Sequence, residues 1–293
     1  KYIIVAPFNP VAANDWLLLY RDLKKRGFRT ILYSMIEGTP THVRDWHQRD
    51  LETYVVSEYV RKKLLQLGIN VVDVVYHGLL PSLVERARKL APVYRKQLQA
   101  KFKDKILFIY NAMSHRRKGH PELAFVLRKV VEKTKEAMFI IHTDDTGSAY
   151  YIGVENVVTT GSYGNMERAA ILAYQGAFDF LLFPSLAEGF GLPVIEANAL
   201  GVPAIHLAYE PLTEISDPDA NIMVPYTNVT PVDFGDGILY DIHSYNPDDM
   251  VEAILDAIDM VKNRKSEYED RKAKAIENAK RFNAIELYRK LIE

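Results

Sequence analysis

The sequence contains no cysteine among its 293 residues. This absence excludes disulfides, thiolate metal sites and cysteine nucleophiles, although it does not identify the compartment. No apolar run approaches the roughly 18 residues that are needed to span a bilayer, and the first residues lack the pattern of a secretory leader. We therefore expect a globular protein of the cytoplasm.

A net charge of one sign is also missing, because 37 basic residues almost balance 38 acidic ones. No field of the whole chain would attract nucleic acid, so we expect no nucleic-acid partner. Hydrophobic residues make up 48% of the chain, which is enough for a substantial core. The length predicts one large domain or two modest ones.

The sequence does contain a regular alternation of short apolar runs and segments of helical period. "YIIVAPF" (2–8) and "FRTILYSMI" (28–36) are apolar at nearly every position, which is typical of parallel strands with helices on both faces. The alternation restarts after the charged stretch 95–105. It predicts an α/β protein with a domain boundary near residue 101 and a largely helical tail from about residue 247.

The most informative stretch is "FDFLLFPSLAEGFGLPVIEANAL" (178–200), which reads as a strand, a turn and a helix. In a doubly wound sheet, ligands bind at the carboxyl ends of the strands. Gly189 and Gly191 allow the backbone to approach a ligand, and free N–H groups at the helix start favour phosphate. Glu188 and Glu196 would then accept hydrogen bonds from two parts of one ligand. The alternative is a solvated loop residue and a carboxylate on a helix surface.

Together with other segments, this stretch resembles the retaining nucleotide-sugar glycosyltransferases of the GT-B fold, in particular family 4, the group 1 glycosyltransferases. Glu188 and Glu196 match the Glu-x7-Glu signature of that family, and the likeness covers roughly residues 52–285. The segments that carry it are "YVVSEYVRKKLLQLGINVVDVVYHG" (54–78), "NAMSHRRKGHPELA" (111–124), "VVTTGSYGNMERAAILAYQGAFDFLLFPSLAEGFGLPVIEANALGVPAI" (157–205) and "EPLTEISDPDANIMVPY" (210–226).

The resemblance implies two Rossmann-like parallel-sheet domains that face a cleft. An abbreviated acceptor-side domain would occupy residues 1–100, and the nucleotide-sugar domain would occupy residues 101–293. The last helix (about 283–293) would pack back on the first domain. The implied activity is metal-independent transfer of a sugar from a UDP- or GDP-sugar to an acceptor hydroxyl, with retention of configuration. No cofactor and no metal site is expected.

Residue roles follow from the same resemblance. Glu188 would contact hydroxyls of the donor sugar, and Glu196 would contact the ribose. Arg117 and Lys118, in "HRRKG", would hold the diphosphate, unless this stretch is only a solvated loop. Because negative charge grows on the leaving phosphate, preplaced cations stabilise the transition state more than the substrate. The other residues expected to contact the nucleotide-sugar are Gly189, Phe190, Gly191, Leu192, Ser162, Tyr163, Gly164, Thr213, Glu214 and His77. For His77, a packing or hinge role is an equal alternative.

The acceptor is less closely defined. The resemblance allows a carbohydrate, a lipid-linked molecule or a protein, and it leaves the oligomeric state open. Residues 82–105 include eight basic side chains, which on one helix form either a solvated face or a surface for peripheral contact with anionic lipid.

Two features of the first hundred residues depart from the family pattern. The predicted first domain is short, and the loop "PFNPVAAND" (7–15) has no glycine where the family has a glycine-rich loop beside the donor phosphates. Two rival functions therefore stay open. One is a nucleotide-sugar-binding protein without transfer, and the other is a nucleotide-sugar epimerase or phosphorylase on the same fold.

Overall fold

The computed structural model describes residues 2–5, 10–41, 52–161 and 163–293. Within these ranges the strands form two parallel sheets and one small antiparallel sheet. We call residues 2–79, which include the first parallel sheet, the first half, and residues 80–293, which include the second, the second half. The α/β class predicted from the alternation of strands and helices is confirmed.

The first half contains a four-stranded parallel sheet. Its strands, in order across the sheet, are β1 (Tyr2–Val5), β2 (Arg29–Ser34), β4 (Glu52–Val55) and β5 (Val71–Val74), whereas β3 (Thr39–Pro40) pairs elsewhere. Helix α1 (Pro10–Lys25) follows β1, and helix α2 (Glu58–Gln66) follows β4. Every residue of β2 from Thr30 to Ser34 is buried, as expected for a strand that is covered on both faces.

The second half contains a six-stranded parallel sheet. Its strands along the chain are β6 (Ile106–Asn111), β7 (Ala137–His142), β8 (Val157–Thr159), β9 (Phe180–Phe183), β10 (Ala204–Leu207) and β11 (Ile222–Val224). Its helices are α3 (Pro81–Phe102), α4 (His120–Lys133), α5 (Asp145–Ala149), α6 (Arg168–Gln175), α7 (Leu192–Ala199) and α8 (Leu212–Ile215). The Phe108 ring stacks between Phe139 and Phe180, with centroids 5.1 and 5.8 Å away, at the centre of the core.

The strand order of this sheet creates a topological switch point. The order is β11-β10-β9-β6-β7-β8, so the chain leaves β6 toward β7 on one side and later returns to place β9 on the other. In open parallel sheets, ligands bind in the crevice that such a reversal opens at the carboxyl ends of the strands. The crevice of this sheet therefore lies between the loops that follow β6 and β9.

Helix α3 carries the basic stretch and packs on the second half. Ala87 packs with Leu172 and with its neighbour in α6, and Arg88 donates to the carbonyl of Ala199 at 2.7 Å. Arg95 pairs with the buried Asp179 at 2.9 Å. These contacts are with residues beyond 101, and the domain boundary near residue 101 stays a prediction. No helix in the described ranges is both long and apolar enough to cross a bilayer.

An antiparallel hairpin, which the sequence did not predict, joins the two halves. It consists of β12 (Tyr226–Asp233) and β13 (Ile238–Tyr245), and β3 from the first half extends it by pairing with β13. Gly38 lies so close to β13 that an added Cβ would be 2.4 Å from the carbonyl oxygen of Leu239. Asp241 of β13 also pairs with Lys63 of α2 at 2.5 Å. The hairpin thus contacts the first half through both backbone and side chains.

The tail is helical, as predicted, and its end returns to the first half. It contains α9 (Pro247–Asn263), α10 (Lys265–Ala279) and α11 (Ala284–Leu287), with 3₁₀ turns at Lys280–Phe282 and Tyr288–Leu291. Leu79 forms a parallel bridge with Asn283. The backbone N–H of Gly78 donates to the Tyr288 hydroxyl at 3.1 Å. The end of the chain therefore contacts the last residues of the first half.

The close contact between Gly78 and Ala284 predicts a large loss of stability for Gly78→Ala. A Cβ there would lie 2.3 Å from Cα of Ala284, and backbone atoms cannot move aside as a flexible side chain can. We expect the variant to lose about 3 kcal/mol of unfolding free energy. Gly68→Ala is the control, because Gly68 has open space and only a positive φ, so it should lose about 1 kcal/mol. Equal losses of melting temperature in the two variants would show that the contact between Gly78 and Ala284 does not stabilise the fold.

Candidate active site

The turn after β9 lies at the switch point and touches the first half. A Cβ on Gly189 would be 2.2 Å from the carbonyl oxygen of Ile36, so the two backbones are in direct contact there. Ser57, which caps α2, donates its hydroxyl to the carbonyl of Gly189 at 2.7 Å. Gly191 has a φ of 99° and starts α7, a conformation that favours glycine. Both predicted glycines are therefore required by packing and by backbone geometry.

Glu188 is the buried anion of this turn. It accepts hydrogen bonds from the Lys118 ammonium at 2.5 Å and from the Ser185 hydroxyl at 2.6 Å, and a guanidinium nitrogen of Arg117 lies 3.0 Å away. Burial raises the pKa of Glu188, but the charges of Lys118 and Arg117 outweigh burial and lower that pKa to about 2. Glu188 is therefore ionised at neutral pH.

The two cations come from the loop on the other side of the switch point. A 3₁₀ turn at Arg116–Lys118 ends at Gly119, whose φ is 72° and whose Cβ would meet the carbonyl of Pro184 at 2.5 Å. This close approach of the two loops aims Arg117 and Lys118 at Glu188. Burial lowers the pKa of Lys118, and the charge of Glu188 opposes that effect. The structure thus brings the three predicted catalytic residues into one cluster.

A fourth charged group, which the sequence did not predict, completes the cluster. Glu37 of the first half accepts from Arg117 at 2.8 Å, while the same guanidinium donates to the carbonyl of Ala187 at 3.0 Å. Burial raises the pKa of Glu37, Arg117 lowers it, and the negative charge of Glu188 raises it further. Glu37 follows the buried strand β2 at its carboxyl end, so the strand-end rule used for Glu188 would have found it.

Glu196 has a different partner. It is 3% exposed within α7 and pairs with Arg168, the first residue of α6, whose side chain is 50% exposed. Arg168 was not predicted. Tyr163 and Gly164 precede it in the same loop, with the Tyr163 ring 5.8 Å from that of His142, whereas Ser162 lies outside the described residues. The predicted base residues Tyr163 and Gly164 thus lie in the loop before α6, and the predicted ribose residue Glu196 lies within α7.

Phe190 and His77 pack between the halves. The buried Phe190 ring contacts the His77 ring edge to face at 5.1 Å and also contacts Phe282. His77 lies against Tyr33 on its other side, with ring centroids 5.6 Å apart. Burial lowers the pKa of His77 to about 4, so the ring is neutral at pH 7. These contacts match the packing alternative for His77, and its contact with a ligand stays a prediction.

The remaining predicted residues have mixed surroundings. Glu214 accepts from the backbone N–H of Glu58 at 2.9 and 3.1 Å and thereby caps α2. Burial raises the pKa of Glu214, and the hydrogen bond from Glu58 opposes that effect. Thr213 is exposed, and Leu192 is half-buried at the start of α7. Donor contact by these three residues stays a prediction.

Comparison with known proteins places the chain in a family. A family model described as "Glycosyl transferases group 1" matches residues 103–260, which is more than half of the chain. The chain belongs to the group 1 glycosyl transferases. It is also similar to uncharacterized glycosyltransferase 335 of Sulfolobus islandicus rod-shaped virus 1, with 27% identity over 299 residues, 100% of this chain and 87% of the viral protein.

Solved structures support the fold. A glycosyltransferase from Rickettsia africae ESF-5 matches with a TM-score of 0.69 and 14% identity, over 97% of this chain and 81% of its own. A UDP-forming α,α-trehalose-phosphate synthase from Burkholderia xenovorans matches with a TM-score of 0.72 and 12% identity, over 100% of this chain and 72% of its own. At these identities the likeness shows the fold alone. This group 1 glycosyl transferase has the GT-B fold, with two Rossmann-like parallel sheets.

The pairing of Glu196 with Arg168 predicts that substitutions of two arginines near the start of α6 lower the stability by very different amounts. Arg168→Gln leaves a buried carboxylate without its cation, so we expect a loss of about 2–4 kcal/mol of unfolding free energy, allowing for the half-exposed guanidinium. Arg86→Gln breaks the neighbouring pair with Glu167, in which both side chains are 59% exposed, and should cost less than about 1 kcal/mol. Denaturant unfolding measures both, and equal losses would contradict the burial argument.

Proposed function

We propose that this group 1 glycosyl transferase moves a sugar from a nucleoside-diphosphate sugar to an acceptor hydroxyl, with retention and without a metal. The observation that supports this most directly is the meeting of Arg117, Lys118 and Glu188 at the switch point. Two cations and one carboxylate in a buried crevice are the groups that a sugar diphosphate needs. The donor-side role of residues 101–293 and the acceptor-side role of residues 1–100 belong to the same proposal.

The cations act on the bond that breaks. As the bond between the anomeric carbon and the phosphate oxygen lengthens, negative charge gathers on the diphosphate beside Arg117 and Lys118. Both side chains are already desolvated and fixed, so they stabilise this charge without reorganising. They therefore supply in place of a metal the positive charge that the leaving group requires.

The acceptor reacts on the face from which the phosphate leaves. Its hydroxyl oxygen forms the new bond to the anomeric carbon, and its proton passes to an oxygen of the leaving phosphate. The products are a glycoside of unchanged anomeric configuration and a nucleoside diphosphate. Glu188 accepts from hydroxyls of the donor sugar and fixes its orientation during this step, and Glu196 accepts from the ribose.

The donor base and the acceptor are proposed only as classes. UDP is the first nucleotide to test, because the structurally similar protein from Burkholderia xenovorans is UDP-forming. A carbohydrate hydroxyl is the acceptor that fits the resemblance best. Membrane contact through residues 82–105 is the weaker proposal, because Arg86, Arg88 and Arg95 of this stretch already contact groups of the second half.

Nucleotide binding without metal is the first test of this function. We expect at least one of UDP, GDP and ADP to raise the melting temperature in the presence of EDTA. A ligand at a hundred times its Kd stabilises the fold by about 2.7 kcal/mol, which is about 4 °C for a chain of this length. If no nucleotide shifts melting at millimolar concentration, transfer and simple nucleotide-sugar binding both lose their basis.

Substitutions of the two glutamates should impair different properties, transfer in one case and nucleotide binding in the other. Glu188→Gln keeps the shape of the side chain and removes a negative charge between two cations, so nucleotide binding should not weaken, while transfer should fall on the order of 10²-fold. Glu196→Ala should weaken nucleotide binding by about 1–3 kcal/mol through the loss of a charge-assisted hydrogen bond. Calorimetric titration and a transfer or hydrolysis assay on the nucleotide-sugar that binds measure the two effects.

The control for these variants is Glu155→Gln, which changes an exposed carboxylate paired with Lys135 away from the crevice. It should leave binding and transfer unchanged. A Glu188→Gln protein with an unmodified transfer rate and a melting temperature lowered by many degrees would make the carboxylate structural. Nucleotide-sugar binding without any hydrolysis or transfer would instead support the non-catalytic binding protein.

A further inference from the structure

Glu37 is the one member of the charged cluster that the proposed reaction does not use. It lies in the first half, directly before Gly38, in the loop that follows β2. The contact between Ile36 and Gly189 fixes this loop against the turn that carries Glu188. The backbones at Ile36 and Gly189 are too close to admit a Cβ on Gly189. Because Glu37 follows Ile36, its carboxylate is held beside the guanidinium of Arg117.

The guanidinium of Arg117 is shared between the halves. Its Nη2 is 2.8 Å from the Glu37 carboxylate, and its Nη1 is 3.0 Å from that of Glu188. Lys118 pairs with Glu188 alone among the described residues. Two cations and two carboxylates therefore already neutralise each other in a desolvated crevice. A diphosphate brings further negative charge into this space, so it competes with the two carboxylates for Arg117 and Lys118.

Glu37 is the carboxylate that gives way. Glu188 has Ser185, Lys118 and Arg117 around it and a side chain only 7% exposed, whereas Arg117 is the only cation paired with Glu37 within the described ranges. The Glu37 side chain is 23% exposed and can rotate toward solvent. The pKa of Glu188 is lowered to about 2, while burial and the charge of Glu188 raise the pKa of Glu37. Each difference makes Glu37 easier to displace or to neutralise.

We propose that Glu37 is a positioning residue of the donor site, which holds Arg117 until the donor diphosphate displaces it. This inference rests on the proposed function of the cluster. A ligand without phosphate does not compete with Glu37 for Arg117, so the displacement lowers the affinity for diphosphates and leaves that for nucleosides unchanged. It also links donor binding to the loop of the first half, because that loop carries the displaced carboxylate.

The decisive variant is Glu37→Gln, which keeps the size of the side chain and removes the competing charge. The probes are UDP-glucose, GDP-mannose and ADP-glucose, each titrated calorimetrically in EDTA beside its free nucleoside. We expect the nucleotide-sugar that binds to do so about tenfold more tightly in the variant, and its donor KM to fall without a matching rise in kcat. Affinity for the nucleoside should not change. Glu37→Asp keeps the charge and should retain the weaker affinity of the unmodified protein.

The matched control is Glu210→Gln. Glu210 pairs with Lys62 at 2.7 Å, so this variant removes another ion pair between the halves without touching Arg117. Tighter nucleotide-sugar binding in both variants would mean general loosening of the cleft and would overturn the role of Glu37. Unchanged or weaker binding in a folded Glu37→Gln protein would also overturn it, while the proposed function survives. Failure of the unmodified protein to bind any of the three nucleotide-sugars would remove both proposals.

A measurement on the unmodified protein covers the case in which the variant does not fold. The ionisable groups that interact with Glu37 are Arg117, Lys118, Glu188, Tyr59 and Tyr240. Displacement toward solvent removes the burial that raises the pKa of Glu37, so binding releases a proton, and affinity for the nucleotide-sugar should fall as pH falls from 7 toward 5. The pKa of Glu188 is far below this window, and those of both tyrosines are raised above it. Affinity that rises or stays constant over this range would contradict the displacement.

Discussion

The guanidinium of Arg117 between two carboxylates is the interaction on which the rest of this structure depends. A buried arginine is tolerated only where anions lie within hydrogen-bond distance. One of its anions, Glu188, belongs to the same half, and the other, Glu37, comes from the opposite half. The contact between the two halves and the neutralisation of charge in the crevice therefore depend on the same ion pairs. Neither can be removed without disturbing the other.

The spacing of the two glutamates in the signature has a simple electrostatic consequence. Glu188 precedes α7 and meets cations from the loop after β6, whereas Glu196 lies within α7 and meets Arg168 from α6. Seven intervening residues are enough to place the two carboxylates in separate environments, each with its own counter-charge. A single ligand that spans both environments can therefore be held at two points without the carboxylates repelling one another.

The parts of the fold predicted from the sequence are those governed by local pattern. The strands of both parallel sheets are apolar runs, and the meeting of Arg117, Lys118 and Glu188 follows from placing each loop at the carboxyl end of a strand. Glu37 obeys the same rule, but its partner is 80 positions away, and only the packing of Gly189 on Ile36 brings the two together. The capping of α2 by Glu214 depends on the same long-range packing.

The hairpin was missed for a different reason. Strand β12 is exposed along nearly its whole length, so it has no alternation of apolar and polar residues that would mark it as a strand. Its partner β13 is covered partly by the first half, through a contact that no local pattern reveals. Regular structure was predicted where one face of an element is buried against its own sheet, and it was missed where the covering group comes from far along the chain.

The pairing of β3 with β13 bears on how the crevice can open. Within the described residues, the ladder consists of Thr39 and Pro40 paired with Leu239 and Ile238, and one further hydrogen bond joins Thr41 N–H to the carbonyl of Gly237 at 2.9 Å. This ladder bridges the two halves, so widening the crevice either breaks these few bonds or moves the hairpin together with the first half. Opening of the crevice therefore has to overcome this backbone pairing in addition to the ion pairs of Arg117, Lys63 and Lys62 with the opposite half.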